Sequence, residues 1–260
     1  MEPHAFVAEL YRRMSLRNQA ERKTPTWAEM EADRQVQQIA WESAALLPVD
    51  KHSAILDIGF GGGKFLAACL KLGYSNLTGA EFGVQHKTHV KDWKPDAIHL
   101  LEIETNIGDF LAGRREQYDF IHLSHVIEHI PKYSLLWVTD ALFWALKPGG
   151  AVLLRTPNME GPCANSSFYV TLAHEYGFSG SNLRSLLHIC GFDDIRLHHF
   201  TTYKPSLKQE FGIAIRRPFL KWNEIKHRLF GVNQGGEFGG ELVASAKRGS
   251  AAPFFDPKYR

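Results

Sequence analysis

The chain has 260 residues and is 44% hydrophobic, enough to bury a sizeable core, and its length suits one large domain or one domain with attachments. Thirty basic residues against 28 acidic leave a formal net charge of +2, so no long-range field marks the whole protein as a nucleic-acid binder. No window approaches the roughly 18 apolar residues of a membrane helix, and the N-terminus lacks the pattern of an export signal, which points to a soluble, cytoplasmic protein. The three cysteines, Cys69, Cys163 and Cys190, are far apart and in no C-x-x-C pair, against both a disulfide framework and a zinc knuckle.

Residues 1 to 25 are charged and weakly patterned and read as an arm outside the core. From Thr26 the pattern sharpens: Thr26 and Glu29 have capping-box spacing, and Met30, Val36, Ile39, Ala40, Leu46 and Leu47 recur at helical intervals up to Pro48. Residues 1–50 are therefore expected to form an N-terminal helical arm or lid. Strands are expected at Ala54–Ile58, Leu77–Glu81, Ala97–Leu101, Tyr118–Ser124, Ala151–Thr156, Ile195–Phe200 and Glu241–Lys247, with helices between most of them starting near Lys64, Val84, Tyr133 and Asn182. That alternation predicts an α/β fold, a doubly wound, mostly parallel sheet covered on both faces, with its core over residues 51–202 and its last strand at 241–248, followed by a tail at 249–260.

Two pieces fit that scheme poorly. Residues 157–181 are rich in Gly, Ser, Asn and Pro, and a long connection inside a compact domain is usually functional. Residues 203–240 form a basic insertion: from Tyr203 to Phe230 seven Lys and Arg side chains face only Glu210 and Glu224, with aromatics interleaved. Solvated charge on a helical cap explains such a run, as does contact with an anionic acceptor or with a membrane surface. Nucleic acid is not expected as a partner, and the oligomeric state is left open.

The chemistry begins at "LDIGFGGG". Gly59, Gly61 and Gly63 let the backbone turn sharply and approach a ligand with no Cβ in the way, and the helix after them points free N–H groups at the loop. The spacing is D-x-G-x-G-x-G from Asp57, not the G-x-G-x-x-G of dinucleotide folds. Glu81 ends the next strand, at about the 20-residue distance from which a carboxylate accepts hydrogen bonds from ribose hydroxyls. A plain tight turn is the alternative reading of the glycines alone.

"LDIGFGGGKFL", "LTGAEFG", "YDFIHLSHVIEHIP" and "LKPGGAVLLRTPN" together resemble, in order and spacing, the class I S-adenosylmethionine-dependent methyltransferases. The resemblance implies a Rossmann-like seven-stranded sheet with an antiparallel last strand, and S-adenosyl-L-methionine as methyl donor. It places Gly59, Gly61 and Gly63 along the methionine moiety and ribose, has Asp57 order that loop, and has Glu81 hold the ribose hydroxyls. Asn106 stands where the family usually has the adenine-contacting Asp, with Ile107 beside it, and Ser124 and His125 lie by the transferred methyl. The block "HEYGFSGSNLRSLLHICGF" after "TPN" resembles methyltransferases of bacterial polysaccharide and lipopolysaccharide clusters. It implies a glycan acceptor, nucleotide- or lipid-linked, with His174 facing it and Tyr169 and Tyr176 stacking on a sugar ring.

His125, Glu128 and His129 in "HVIEHIP" share one face if that segment is helical. They are open to three readings: a general base at His129 helped by Glu128, a divalent metal held by all three, or a turn that merely closes the pocket. The metal reading leans on the related quinone-biosynthesis enzymes, which have Glu where this chain has His125, so no metal is expected here. His174 likewise either faces the acceptor or caps a helix. The function expected is O-methylation, of a sugar hydroxyl in glycan biosynthesis, with His129 or His174 as base. A quinone or natural-product methyltransferase and a non-catalytic binding module are the rivals.

Overall fold

The structure is a computed structural model that describes residues 25–82, 89–94, 96–161, 164–200, 203–205, 207–229 and 240–253. Residues 1–24 of the expected arm, the start of the helix expected near Val84 and most of the tail lie outside the described residues.

Seven strands form one sheet: β1 Ile55–Ile58, β2 Leu77–Glu81, β3 Ile98–Glu102, β4 Tyr118–Ser124, β5 Leu146–Pro157, β6 Phe192–His198 and β7 Glu241–Arg248. Their order is β3-β2-β1-β4-β5-β7-β6. Pairing is parallel from β3 across to β5, and β7 runs antiparallel to both β5 and β6, as the resemblance implies. Strand order reverses direction between β1 and β4, and it is at such a switch point, beyond the carboxyl ends, that open α/β sheets bind ligands.

β1 is buried along its whole length, the mark of a central strand covered on both faces. Alternation divides its neighbours: Leu56 and Ile58 pack with Ile121 and Leu123 on one face, while Ile55 packs with Phe120 and Phe65 on the other. The helices are α1 Trp27–Ala32, α2 Arg34–Ser43, α3 Lys64–Lys71, α4 His89–Asp92, α5 Ile107–Ala112, α6 Leu135–Ala145, α7 Ala164–Phe168, α8 Gly180–Ile189 and α9 Leu207–Leu229.

The single helix expected from Thr26 to Pro48 is two. The Thr26–Glu29 capping box starts α1, but Asp33 is extended (ψ 127°) and its carboxylate accepts from the N–H groups of Gln35 and Val36, which starts α2. An Asp that finds two amide donors locally competes with helix continuation. Nor do these helices hang free as a lid: Met30, Val36 and Ala40 are buried against Ala67 and Ala68 of α3. β5 starts five residues earlier than the expected Ala151, running through Gly149 (φ +78°) and Gly150. Of the basic insertion, residues 207–229 form one long helix, α9.

Candidate active site

The glycine loop joins β1 to α3, and all three alternate glycines are left-handed: Gly59 at φ +68°, Gly61 at +54°, Gly63 at +77°. Gly59 also lies against the segment leaving β4, where an added Cβ would sit 2.5 Å from Val126 Cγ2. Both the backbone and the space require glycine there. Gly63 caps α3 with no side chain, so the first N–H groups of that helix face the loop.

The acids around the loop are placed differently from expectation. Glu81 Oε2 accepts from Gly61 N–H at 3.0 Å and Oε1 from Phe82 N–H at 3.1 Å, so this carboxylate itself ties β2 to the loop. Each oxygen has a further lone pair for another donor. Asp57 does not reach the loop amides. Its Oδ1 pairs with His122 Nδ1 at 2.7 Å across β1 and β4, and Phe65 stacks on that imidazole with ring centroids 3.7 Å apart. Burial pushes the Asp57 carboxyl above its ordinary range, and His122 works against that shift. His122 was passed over in sequence because an alternating strand residue carries no local sign of its partner.

Asn106 is the N-cap of α5: Oδ1 accepts from Asp109 N–H at 2.9 Å, and its amide donates to the Asp109 carboxylate at 2.6 Å. Ile107, the first residue of α5, is buried in the core.

At the end of β4, Ser124 is half-buried and His125 turns left-handed (φ +54°). The segment after it is a 3-10 turn over Ile127–His129, not an α-helix, so the one-face argument for His125, Glu128 and His129 fails. His125 lies between two carboxylates, with Nδ1 3.1 Å from Glu128 Oε1 and Nε2 3.1 Å from Glu241 Oε1. These hydrogen bonds raise its pKa to about 9, and His125 holds the Glu241 carboxyl down at about 2. Arg155 of β5 continues the chain of charges, donating to Glu241 Oε2 at 2.6 Å and to the buried Glu42 of α2. The network thus joins α2, β5, β7 and the exit of β4. Arg155, Glu241 and Glu42 were missed in sequence because their partners lie far along the chain.

His129 instead meets His174. Its Nδ1 donates to the Ala173 carbonyl at 2.8 Å, and its ring centroid lies 4.8 Å from that of His174. His174 Nδ1 donates to the Phe168 carbonyl at 2.6 Å. Donation from Nδ1 puts the lone pair of each imidazole on Nε2. Two N–H groups from the long loop, those of Glu175 and Tyr176, donate to the Glu128 carbonyl at 2.7 and 3.1 Å and bring His174 here. Burial lowers the His129 pKa, so this ring is neutral near pH 7.

The side chain of Glu128 is almost wholly buried, and its Oε2 has no hydrogen-bond partner. Glu128, His129 and His174 offer ligand atoms all within 4.8 Å of one another. The residue that joins Glu128 and His129 in such a set is His174, not His125.

A cavity of about 430 Å³ opens beside this cluster, lined by His125, Pro157, Ser166, His174 and Glu241 among others. Of the two histidines proposed from sequence as bases, His174 lines it. Tyr176 packs edge-on against Phe178, so its ring belongs to the core, whereas Tyr169 is exposed. The left-handed glycines lie at the switch point of the sheet, and the charged network borders the cavity at His125 and Glu241.

The profile of a methyltransferase domain matches residues 8–211, most of the chain. The chain belongs to the methyltransferase-domain family. It is an enzyme of the methyl-transferring type. Solved structures share its fold. A chain of the complex between the Haloferax volcanii Trm112 methyltransferase activator and a methyltransferase superposes with a TM-score of 0.64 at 15% identity, covering 94% of this chain and 98% of that one. A SAM-dependent methyltransferase from Archaeoglobus fulgidus gives 0.57 at 17% identity, over 82% of this chain and 94% of that one. The Haemonchus contortus phosphoethanolamine N-methyltransferase 2, solved with phosphomonomethylethanolamine and S-adenosylhomocysteine, gives 0.57 at 15%, over 91% of this chain and 61% of that one. At such identities the likeness is one of fold. No curated protein matches the chain.

Proposed function

We propose that this methyltransferase moves the methyl group of S-adenosylmethionine onto a hydroxyl oxygen, in the best reading that of a sugar in glycan biosynthesis. The donor is S-adenosylmethionine: the loop backbone at Gly61 and Gly62 meets nearly open space, and Glu81 stands at its edge with lone pairs for hydroxyl donors. Ser124 and His125, at the carboxyl end of β4, face the methyl from the other side of the switch point.

The observation that carries the acceptor half is His174 in the cavity wall. Its Nδ1–H is fixed on the Phe168 carbonyl, which leaves Nε2 to accept a proton. In the reaction the acceptor oxygen attacks the methyl carbon in line with sulfur. The O–C bond forms, the C–S bond breaks, the sulfonium leaves as a neutral thioether, and the hydroxyl proton passes to His174 Nε2. His129, whose pKa burial lowers, packs beside His174 with ring centroids 4.8 Å apart. Positioning supplies most of the acceleration, because methyl transfer needs alignment above all. Ser166 and Ser167 place two hydroxyls in a cavity wall that also carries the apolar faces of Pro157 and Val170, so a sugar would meet both hydrogen-bonding groups and apolar surface there. Incubation with the labelled donor and a panel of sugar nucleotides, quinols and phenols tests this reading; label transferred only to nitrogen or carbon acceptors would contradict it.

One observation favours a second reading. Glu128 Oε2 is buried without a partner, and His129 and His174 present their nitrogens to the same point. Each of these histidines donates its other ring N–H to a backbone carbonyl, the usual outer support of a metal ligand. A divalent cation there would orient an acceptor hydroxyl and lower its pKa, as expected of a quinone-type enzyme. Activity abolished by a chelator and restored by a divalent cation selects this reading; chelator-insensitive activity selects the histidine base.

A further inference from the structure

We infer that α9 is an interfacial anchor that lies flat on an anionic lipid surface, an inference that goes beyond methyl transfer and does not depend on it. α9 is 23 residues long, and Leu207, Phe211, Ile215, Phe219, Trp222 and Ile225 along it are all exposed, Phe219 at 70% and Trp222 at 62%. At about 100° per residue these six fall on one stripe roughly 120° wide. Large apolar side chains are left facing water singly on most proteins, but a continuous stripe with three aromatics marks a surface that something covers.

Charge names what covers it. The helix carries six basic residues against two acidic, a net of +4 within a chain whose total is only +2. Taking the helix's +4 from the chain's +2 leaves the rest of the protein net acidic by only two charges, less than the excess on α9, and pairing with a second copy is an outcome of the test. At about 100° per residue Lys221 falls roughly 40° outside one edge of the stripe with the Glu210 position beside it, the Lys208 and Lys226 positions fall just inside the other edge, and the Glu224 position lies on the far side. Lysines at the margins of an apolar stripe reach past it to phosphate groups, while Trp and Phe sink to the headgroup boundary. Among the described residues no helix is long and apolar enough to cross a membrane, so α9 would lie on the surface. A polar protein partner would match the charge but leave the aromatics wet, and an apolar groove would match the aromatics but bury the lysines.

The chain around α9 connects this surface to the site. Tyr203 N–H donates to Gln38 of α2 at 2.5 Å, and Arg34 donates to the Lys204 carbonyl at 3.2 Å, which moors the approach to the helix. After the insertion the chain re-enters the fold at Gly240 and Glu241, both in the cavity wall.

The test is co-sedimentation of the full chain with vesicles of phosphatidylcholine alone and with about one-third phosphatidylglycerol. Binding to the anionic vesicles at least about tenfold tighter, falling as salt rises, is the expected result. The exposed pair Phe219→Glu/Trp222→Glu and the charge pair Arg217→Glu/Lys221→Glu should each lower that binding about tenfold or more, with donor binding and far-ultraviolet dichroism unchanged. Brominated lipids should quench wild-type fluorescence more than that of Trp222→Phe, which places the helix in the interface. Equal binding to neutral and anionic vesicles, no binding to either, or a dimer in solution that dissociates with Phe219→Glu/Trp222→Glu would each overturn the inference.

Discussion

The two halves of the site are built from different material. On the donor side the parts are backbone: three left-handed glycines, the bare N-terminus of α3 and one carboxylate tied to Gly61 N–H. On the acceptor side they are side chains brought from distant segments: His129 from the turn after β4, His174 from the long loop, Glu241 from β7, Arg155 from β5 and Glu42 from α2. A backbone site is indifferent to most substitutions except at the glycines, and it can stay fixed while the side-chain half varies. The division of labour suits an enzyme class with one donor and many acceptors.

Substitutions separate the halves. His174→Ala is expected to lower the rate of methyl transfer by about 10²- to 10⁴-fold while the protein folds and melts as wild type, read by single-turnover transfer. Wild-type rates in that variant would return the base role to His129 or to a cation.

Gly59→Ala attacks the other half. The added Cβ meets Val126 and the residue must hold φ +68°, so stability should fall by roughly 2–4 kcal/mol and donor affinity with it, as seen by urea denaturation and calorimetry. A neutral outcome would mean that the loop and the β4 exit part easily.

The His125–Glu241 pair makes the acceptor side pH-dependent. His125 has its pKa raised from 6.5 to about 9, so its stabilisation is complete below pH 6.5 and is lost as pH rises through about 9. Glu241 has its pKa lowered from 4.5 to about 2, so its share is present above pH 4.5 and is lost as pH falls through about 2. Both side chains are 45% exposed, which screens the pair to about 1 kcal/mol. The plateau should span roughly pH 4.5 to 6.5, and His125→Gln should flatten the alkaline limb of a melting-temperature profile.

Smallest is Asn106→Ala. It removes the cap of α5, at a cost of about 0.5–1 kcal/mol. A many-fold loss of donor affinity beyond that cost would show that Asn106 also touches the adenine.

This contrast explains what the sequence disclosed. The sheet and the glycine loop were legible because periodicity and glycine spacing are local signals, whereas the antiparallel last strand came only with the family resemblance. Glu81 stood out for the same reason, being a fixed distance from the loop. His129 and His174 were singled out in sequence as the proposed bases, but their pairing with each other was not legible. His125 was grouped with Glu128 and His129 on an assumed helical face, and the 3-10 turn together with a left-handed His125 sends its ring to Glu241 instead. His122 beneath Asp57, and Arg155 between Glu42 and Glu241, gave no local sign, because each depends on which strands become neighbours. The split between α1 and α2 hung on a single Asp whose side chain captured two amides.

The most direct test of a backbone-built donor half beside a side-chain-built acceptor half is calorimetric titration with S-adenosylmethionine of the wild-type, Glu81→Ala and His174→Ala proteins. The account predicts saturable one-site binding to the wild type, the same affinity within a factor of about two in His174→Ala, and binding weakened about tenfold or more in Glu81→Ala. No binding to a folded wild-type protein, or donor affinity lost in His174→Ala and retained in Glu81→Ala, would contradict it.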